Sequence, residues 1–427
     1  MSFVMLFTLG LVLIGSGVGV QASQTTLVSV DSVGTQGNEG SGGPSLSADG
    51  RLVTFASDAT NLVPGDTNGA KDIFVRALDT GELVRVSVDS AGTQGDDSSF
   101  SPVISADGRS VTFASTATNL VPEDTNGIRD TFVHDLTTGQ TVRVSVNSAG
   151  TQGNDSSFSP SLSADGQLVA FASDASNLVA GDTNGAEDIF VHNLTTGQTA
   201  RVSVDSAGIQ GNGASFFPVI SADGRSVTFA SSATNLVPGD TNGTKDIFVH
   251  DLTTGQTVRV SVDSAGTQGN GASFFPVISA DGQLVAFESL ATNLVPGDTN
   301  GGRDIFVRDL TTGQTVRVSV DSASTQGNGA SFSPSLSADG QMVAFSSDAT
   351  NLVPGDTNGV RDIFVRDLTT RQTVRVSVDS AGIEGNGDSF SPSLSANERL
   401  VAFDSFATNL VPGDTNGAED IFVHDFK

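Results

Sequence analysis

Asp66-Thr67-Asn68-Gly69-Ala70-Lys71-Asp72-Ile73-Phe74-Val75 joins a polar, glycine-bearing loop to an apolar β-branched run, and the pattern returns six more times. The Asp of its Asp-Thr-Asn-Gly falls at 66, 124, 182, 240, 298, 356 and 414, always 58 residues apart. A second marker, Ser-Ala-Asp-Gly, keeps the same period, with Asp at 49, 107, 165, 223, 281 and 339; its seventh copy reads Ser395-Ala396-Asn397-Glu398. A fixed period of this length marks a repeat architecture. The 427 residues therefore need not be divided into several ordinary domains.

Working outward from this stretch, each repeat holds four short β-like runs. In the first repeat they cover 44–47, 52–56, 72–76 and 84–88, with tight turns at Ala48-Asp49-Gly50 and Asp79-Thr80-Gly81 and a long loop over 57–71. The runs are β-branched or aromatic and bounded by Gly, Asp and Asn, which is strand punctuation. The ends of the chain choose between an open array and a ring. Residues 27–30 lie one period before 85–88, a fourth strand, whereas the last run, 421–424, is a third strand. Pairing the spare strand with the incomplete unit removes two sheet edges. The expected fold is all-β: a seven-bladed β-propeller with four antiparallel strands per blade, closed by an N-terminal strand that completes the last blade. It occupies 23–427 as one domain.

Residues 3–20 are apolar and uncharged, and Val20-Gln21-Ala22 is a small-x-small cleavage site, so 1–22 is expected to be an export signal. No Lys or Arg precedes the apolar run, and an uncleaved anchor is the alternative. The expected location is secreted, periplasmic or cell-surface, with no stable membrane insertion after cleavage. A net charge of −28 disfavours nucleic acid and anionic membranes and favours cations. Cys is absent, which excludes disulfides and thiolate metal sites. Trp and Tyr are absent beside 26 Phe, which weakens lectin and base-stacking readings.

Ser-x-Ser-Ala-Asp-Gly-x-x-Val-x-Phe-x-Ser followed by Asp-Ile-Phe-Val-x-Asp-Leu-x-Thr-Gly resembles the TolB-like family of β-propeller repeats, a WD-type architecture, over essentially all of 23–427. The resemblance implies a scaffold or binding platform. The longer loop carrying Asp-Thr-Asn-Gly departs from the simple repeat. The Gly-x-Ser-x-Gly elbow of a prolyl-peptidase-like hydrolase is missing.

In a blade the two tight turns share one face of the disk, and the long second-to-third-strand and blade-to-blade loops share the other. The long-loop face is therefore the expected binding face. The oxygen-rich spacing Asp-x-Asn-Gly-x-x-Asp suggests Ca2+ and resembles a shortened form of the calcium loops in integrin α-chain propellers, without their middle acidic position or a distal Glu. The candidate ligands are Asp66, Asn68 and Asp72; Asp124, Asn126 and Asp130; Asp182, Asn184 and Asp188; Asp240, Asn242 and Asp246; Asp298, Asn300 and Asp304; Asp356, Asn358 and Asp362; and Asp414, Asn416 and Asp420. The competing reading makes Asp66 and Asn68 Asx-turn residues, gives Gly69 a positive φ and leaves Asp72 to open a strand.

Phe100, Phe158, Phe216, Phe274, Phe332 and Phe390 precede the inner strand, with Gly42 in their place in the first repeat; they and the extra Phe217 and Phe275 are expected to plug the gaps between blades. His134, His192, His250 and His424 share one repeat position with Arg76, Arg308 and Arg366, which suggests an exposed polar site on strand three. Catalysis needs different residues converging at one place. The departures from the repeat, among them Glu123, Glu288, Arg371, Glu384, Glu398-Arg399 and Phe406, contain no nucleophile–base pair. The expected function is a non-enzymatic, extracytoplasmic, monomeric propeller that binds a protein or glycan at its long-loop face, with calcium as a stabilising cofactor. A hydrolase or lyase with its site at the channel mouth is the alternative.

Overall fold

The computed structural model describes residues 23–427; the expected export signal, 1–22, lies outside the described residues. Among the described residues twenty-eight strands form seven four-stranded antiparallel sheets. In the first blade β2 (Ser41–Leu46) is innermost, followed by β3 (Leu52–Ser57), β4 (Asp72–Ala77) and β5 (Leu83–Arg85). The last sheet runs β1 (Gln24–Leu27), β28 (Asp420–Asp425), β27 (Leu400–Ser405) and β26 (Ser389–Leu394), with β1 paired antiparallel to β28 from Gln24↔Asp425 to Leu27↔Phe422. The ring is closed as the offset of the chain ends predicts. Among the described residues no helix is long and apolar enough to cross a membrane.

Two strand boundaries differ from the sequence reading, each for a local reason. The outer strand stops at Arg85, short of Val88, because side chains replace the ladder. Val86 N–H still reaches Ile73 O, but Ile73 N–H then donates to Ser87 Oγ at 3.1 Å, and Ser87 in turn donates to Asp72. The inner strand begins at Ser41 instead of 44 and carries a bulge: its register with β3 shifts between Gly42 and Ser45, with Gly43 at φ 65°. The same bulge puts Ser101, Ser159, Phe217, Phe275, Ser333 and Ser391 at φ 46–53°, an uncommon conformation for side chains of this size.

Each blade is cemented by one cross-strand aromatic pair. Phe55 faces Phe74 in register, their rings stacked 5.8 Å apart at 28°, and all seven blades repeat the pair at 5.8–6.0 Å and 26–29°. The opposite face of the same strands packs on the next blade. Ile73, Val75 and Val86 meet Val111, Phe113 and Phe132. These rings and aliphatic chains are almost wholly buried, and each such side chain stabilises by about 1.5–3 kcal/mol.

The strand-three histidines overturn the expectation of an exposed position: His134, His192, His250 and His424 are at most 7% exposed. His134 Nδ1 lies 2.8 Å from Thr141 Oγ1, which donates its single proton to Val88 O in the preceding blade-to-blade loop. The ring nitrogen must therefore donate to Thr141. In the first blade Arg76 does this work itself, donating to Val30 O at 2.7 Å. His and Arg interchange here because each supplies an N–H to the same junction: the histidine to Thr141 of its own blade, whose hydroxyl goes on to the preceding loop, and the arginine directly to that loop's carbonyl.

Candidate functional site

The seven Asp-Thr-Asn-Gly loops meet the blade-to-blade loops at buried polar seams. In the first, Asp66 Oδ1 and Asp72 Oδ2 both accept from Gln94 Nε2, at 2.8 and 3.0 Å, and both face Arg85 Nη1, at 3.5 and 3.1 Å. Asn68 accepts Ala70 N–H through Oδ1 and donates to Gly95 O, and Gly69 has φ 63°, so Asn68 forms an Asx turn. Burial pushes the Asp72 carboxyl up, against the downward pull of Ser87, Arg85 and Gln94. Arg143, Arg201, Arg259, Arg317 and Arg375 stand likewise between Asp124 and Asp130, Asp182 and Asp188, Asp240 and Asp246, Asp298 and Asp304, and Asp356 and Asp362. Sequence reasoning missed these arginines. The signal was a single charged residue kept, repeat after repeat, inside an apolar run.

The closing seam differs. Leu27 lies where the other blades have Arg, so Asp414 and Asp420 share only the Gln36 amide, at 2.8 and 2.7 Å, and Asn416 keeps its turn to Ala418. Among the described residues no group of three or more His, Cys, Asp or Glu side chains is disposed to hold a metal ion.

The second concentration of polar groups surrounds the central channel on the long-loop face. The channel is narrow at the other end, where Leu46, Ile104, Leu162, Ile220, Ile278 and their equivalents converge on a space of about 200 Å³. Toward the long-loop face it opens into a funnel of about 440 Å³, lined by the inner-strand prolines, the bulge serines, Val219, Val277, Phe217 and Phe275. Phe217 and Phe275 are not plugs between blades. The bulge turns them into the channel, where their rings lie 4.2 Å apart and Phe275 is 38% exposed.

Around the funnel a belt of charge alternates with the other inner-strand rings. Lys245 Nζ lies 4.0 Å from the Phe216 ring and 5.8 Å from Phe274; Arg303 lies 4.7 Å from Phe274; Arg361 lies 4.1 Å from Phe332; Arg129 lies 4.6 Å from Phe100. These are cation–π distances. Lys71, Arg303 and Arg361 are ion-paired to Asp58, Glu288 and Asp348, whereas Arg129 and Lys245 have no salt bridge among the described residues. Glu187 and Glu419 take the same repeat position in the third and seventh blades. Burial and then Asp174 push Glu187 up to about 8. Burial and the hydrogen-bonded Asp404 carboxyl push Glu419 up to about 8, so that pair holds one proton between two carboxyls.

The departures from the repeat divide accordingly. Glu288 and Phe406 belong to the mouth: Glu288 accepts Ser333 N–H at 2.6 Å, and Phe406 packs edge-on against Phe390. Glu384 belongs to a seam. Glu123, Arg371 and Glu398 hold positive-φ turn positions, at 65°, 61° and 56°. They do not converge.

No family model matches the sequence, and no curated protein does. Solved structures match in fold. An oligogalacturonate lyase in complex with manganese shares 14% identity at a TM-score of 0.57, covering 95% of this chain and 93% of that one. The β-propeller domain of the Trilobed protease from Pyrococcus furiosus, described as having an open velcro topology, shares 9% at 0.54, covering 95% and 97%. TolB from Acinetobacter baumannii shares 19% at 0.42, covering 71% of this chain and 59% of that one. At these identities the likeness is one of fold: the chain is a seven-bladed β-propeller whose structural neighbours include TolB proteins, a lyase and a protease domain.

Proposed function

We propose that this protein is an exported binding module that takes its ligand in the funnel on the long-loop face. The observation that carries this is where the sevenfold repeat is broken. Phe217 and Phe275 replace bulge serines in the funnel wall, Lys245 lies over the neighbouring Phe216 ring, and the Asp404–Glu419 carboxyl pair reaches the bulge at Gly43. Rigid scaffolds carry binding groups where loops and a preformed concavity coincide. A thermal-shift screen of peptides, oligosaccharides and small metabolites tests it, using the native protein and the Phe217→Ser/Phe275→Ser double variant. Serine fills the same bulge in four other blades, so the variant keeps the backbone. Ligands that raise the native Tm and lose that effect in the variant support the reading. Ligands indifferent to the variant sink it. A catalytic reading would rest on Asp404 and Glu419. Turnover of a bound ligand that is lost in Glu419→Gln, with binding kept, would favour it.

Calcium is narrowed by the seams. In six of them a guanidinium already sits between the carboxylates, and an entering cation would have to expel it. Only Asp414 and Asp420 face no arginine, because Leu27 replaces it. A calcium-dependent rise in Tm that Leu27→Arg abolishes supports uptake at that seam. An unchanged native Tm at millimolar calcium removes the cofactor.

A further inference from the structure

We propose that the seam between the fourth and fifth blades, at the funnel mouth, binds an amphipathic organic anion: an apolar body seated on Phe217 and Phe275, with its carboxylate or sulfonate held by Lys245 and Arg303. The proposal rests on the funnel being the ligand site, and it names the ligand's chemistry. Phe216 and Phe217 come from one inner strand, Phe274 and Phe275 from the next, and Lys245 lies over the first ring and within reach of the third. The apolar pair and the cation therefore share one seam.

Charge and position together single out Lys245: Arg129 also has no salt bridge among the described residues, but it lies over Phe100 of the second blade, away from Phe217 and Phe275. Six of the chain's 20 basic residues are the seam arginines, and Arg76, Arg308 and Arg366 are spent on backbone carbonyls. At the mouth, Lys71, Arg303 and Arg361 have carboxylates of their own. Lys245 has aromatic faces in place of a salt bridge, and its nearest acidic neighbour, Glu187, is held protonated up to about pH 8, so near neutral pH an arriving anion meets a cation with no charged partner, against the repulsion of the net charge of −28. Arg303 is ion-paired to Glu288 and lies between Phe274 and Phe332 at the next seam, so it adds positive charge on the far side of the Phe274 ring that Lys245 also reaches.

Shape sets the rest of the ligand. The channel narrows below at the aliphatic ring, and the funnel's valines, prolines and two phenylalanines offer apolar contact, with Ser101 and Ser391 across the ring. A space of about 440 Å³ suits a small molecule with an aromatic or aliphatic body. A uronate oligosaccharide would match the cations but leave Phe217 and Phe275 unused. An acidic peptide would need a large apolar side chain at the same spot.

The test uses the full chain and 8-anilinonaphthalene-1-sulfonate, with 4-phenylbutyrate, 4-phenylbutanol and 4-phenylbutylamine as competitors. The expected result is saturable fluorescence enhancement, displaced by the carboxylate at least roughly tenfold more readily than by the alcohol or the amine. Affinity should fall about tenfold in Lys245→Glu and in Phe217→Ser/Phe275→Ser. Glu187 and Glu419 occupy the Lys245 position in other blades, and serine occupies the bulge, so both variants keep residues the fold already carries. If the alcohol and amine compete equally, and only the phenylalanine variant loses binding, the anion preference is wrong while the funnel remains a ligand site. If the probe fails to bind, or binds both variants as it binds the native chain, the proposal falls. Displacement by an acidic phenylalanine-containing peptide but not by phenylbutyrate assigns the seam to peptides and overturns the small-anion reading.

Discussion

The carboxylate of Glu384 lies 2.8 Å from Arg375 Nη1, in the repeat position where Gln36, Gln94, Gln152, Gln210, Gln268 and Gln326 each donate to two aspartates. Glutamate has no N–H to give. Burial and the neighbouring Asp362 and Glu384 charges push Asp356 up to about 6, and its Oδ1 has no hydrogen-bond donor. Glu384→Gln is expected to restore the repeat's network and stabilise the protein by ~1–2 kcal/mol. A carboxyl raised in the folded state contributes stability that is complete below its unfolded pKa and is lost as pH rises through the folded value. The gain from Asp356 should therefore be largest above pH 6 and shrink toward pH 4, offset in part by the lost contacts to Thr357 and Arg375, which hold the Glu384 carboxyl below its usual range. Urea melts of both proteins at pH 4 and 7.5 check it; an equal or lower native midpoint at pH 7.5 refutes it.

Closure of the ring by β1 makes the amino-terminal segment a structural part of the last blade. Val28 is fully buried, its N–H donates to Ile421 O, and Thr25 Oγ1 ties β1 to Val378 O of the sixth blade. Removing residues 23–30 should cost at least ~3 kcal/mol through lost apolar burial and unpaired backbone groups. It should also expose the β28 edge to pairing with a second chain. Melting and size-exclusion chromatography of the truncated protein are the measurements; an unchanged Tm with a monomeric profile would contradict the closure.

Much of this fold was legible because a perfect 58-residue period exposes any offset. The unpaired fourth-strand motif at the start and the missing one at the end specify closure without reference to side-chain contacts. What stayed hidden depends on direction and on partners distant in sequence. Arg85 sits in a β run that a period-two pattern reads as solvated, and it is buried only because Asp66 and Asp72 fold onto it. Phe217 and Phe275 read as wedges between blades because strict alternation would point them there; a bulge at positive φ sends them into the channel instead. The histidines interchange with arginine, which normally signals exposure, yet both serve a buried junction with the preceding loop, the histidine through Thr141 of its own blade and the arginine directly. Periodicity locates strands, but bulges and long-range pairing decide what each strand presents.

Glu187 gives the funnel mouth a pH dependence opposite to that of an ordinary surface carboxylate. Burial, helped by Asp174 and opposed by Lys245, holds its folded pKa near 8. Its contribution is complete below the unfolded value of about 4.3 and is lost as pH rises through 8. Glu187→Gln should therefore be more stable than the native protein at pH 9, on the order of 1–2 kcal/mol because solvent still reaches the group, and nearly equal to it at pH 4. Thermal melts across pH 4–9 suffice; a variant that is less stable at pH 9 would mean that Glu187 is held there as a needed carboxylate.

His424 sets a limit at the acid end. It is 2% exposed, and burial holds its pKa down at about 4 despite the neighbouring Asp425. Thr25 Oγ1 gives its proton to Val378 O, so His424 must donate from Nδ1, and Ser23 Oγ lies 3.0 Å from Nε2. An unfolded histidine takes up its proton near pH 6.5, above the folded value. The stabilising effect of the neutral ring is thus complete above pH 6.5 and is lost as pH falls toward 4, a span of ~2–3 kcal/mol. Because β1 is held through this residue, the closing blade should be the first to open on acidification. Amide hydrogen exchange at pH 4.5 should show protection lost in β1 and β28 before the other outer strands. Arginine fills this position in three blades, donating to a backbone carbonyl in each, so His424→Arg should flatten the acid limb and leave the melt at pH 7.5 within about 1 kcal/mol of native. If the acid limb of the variant follows that of the native chain, the seam closed by β1 is not what fails first in acid, and the buried ring at His424 is not its cause.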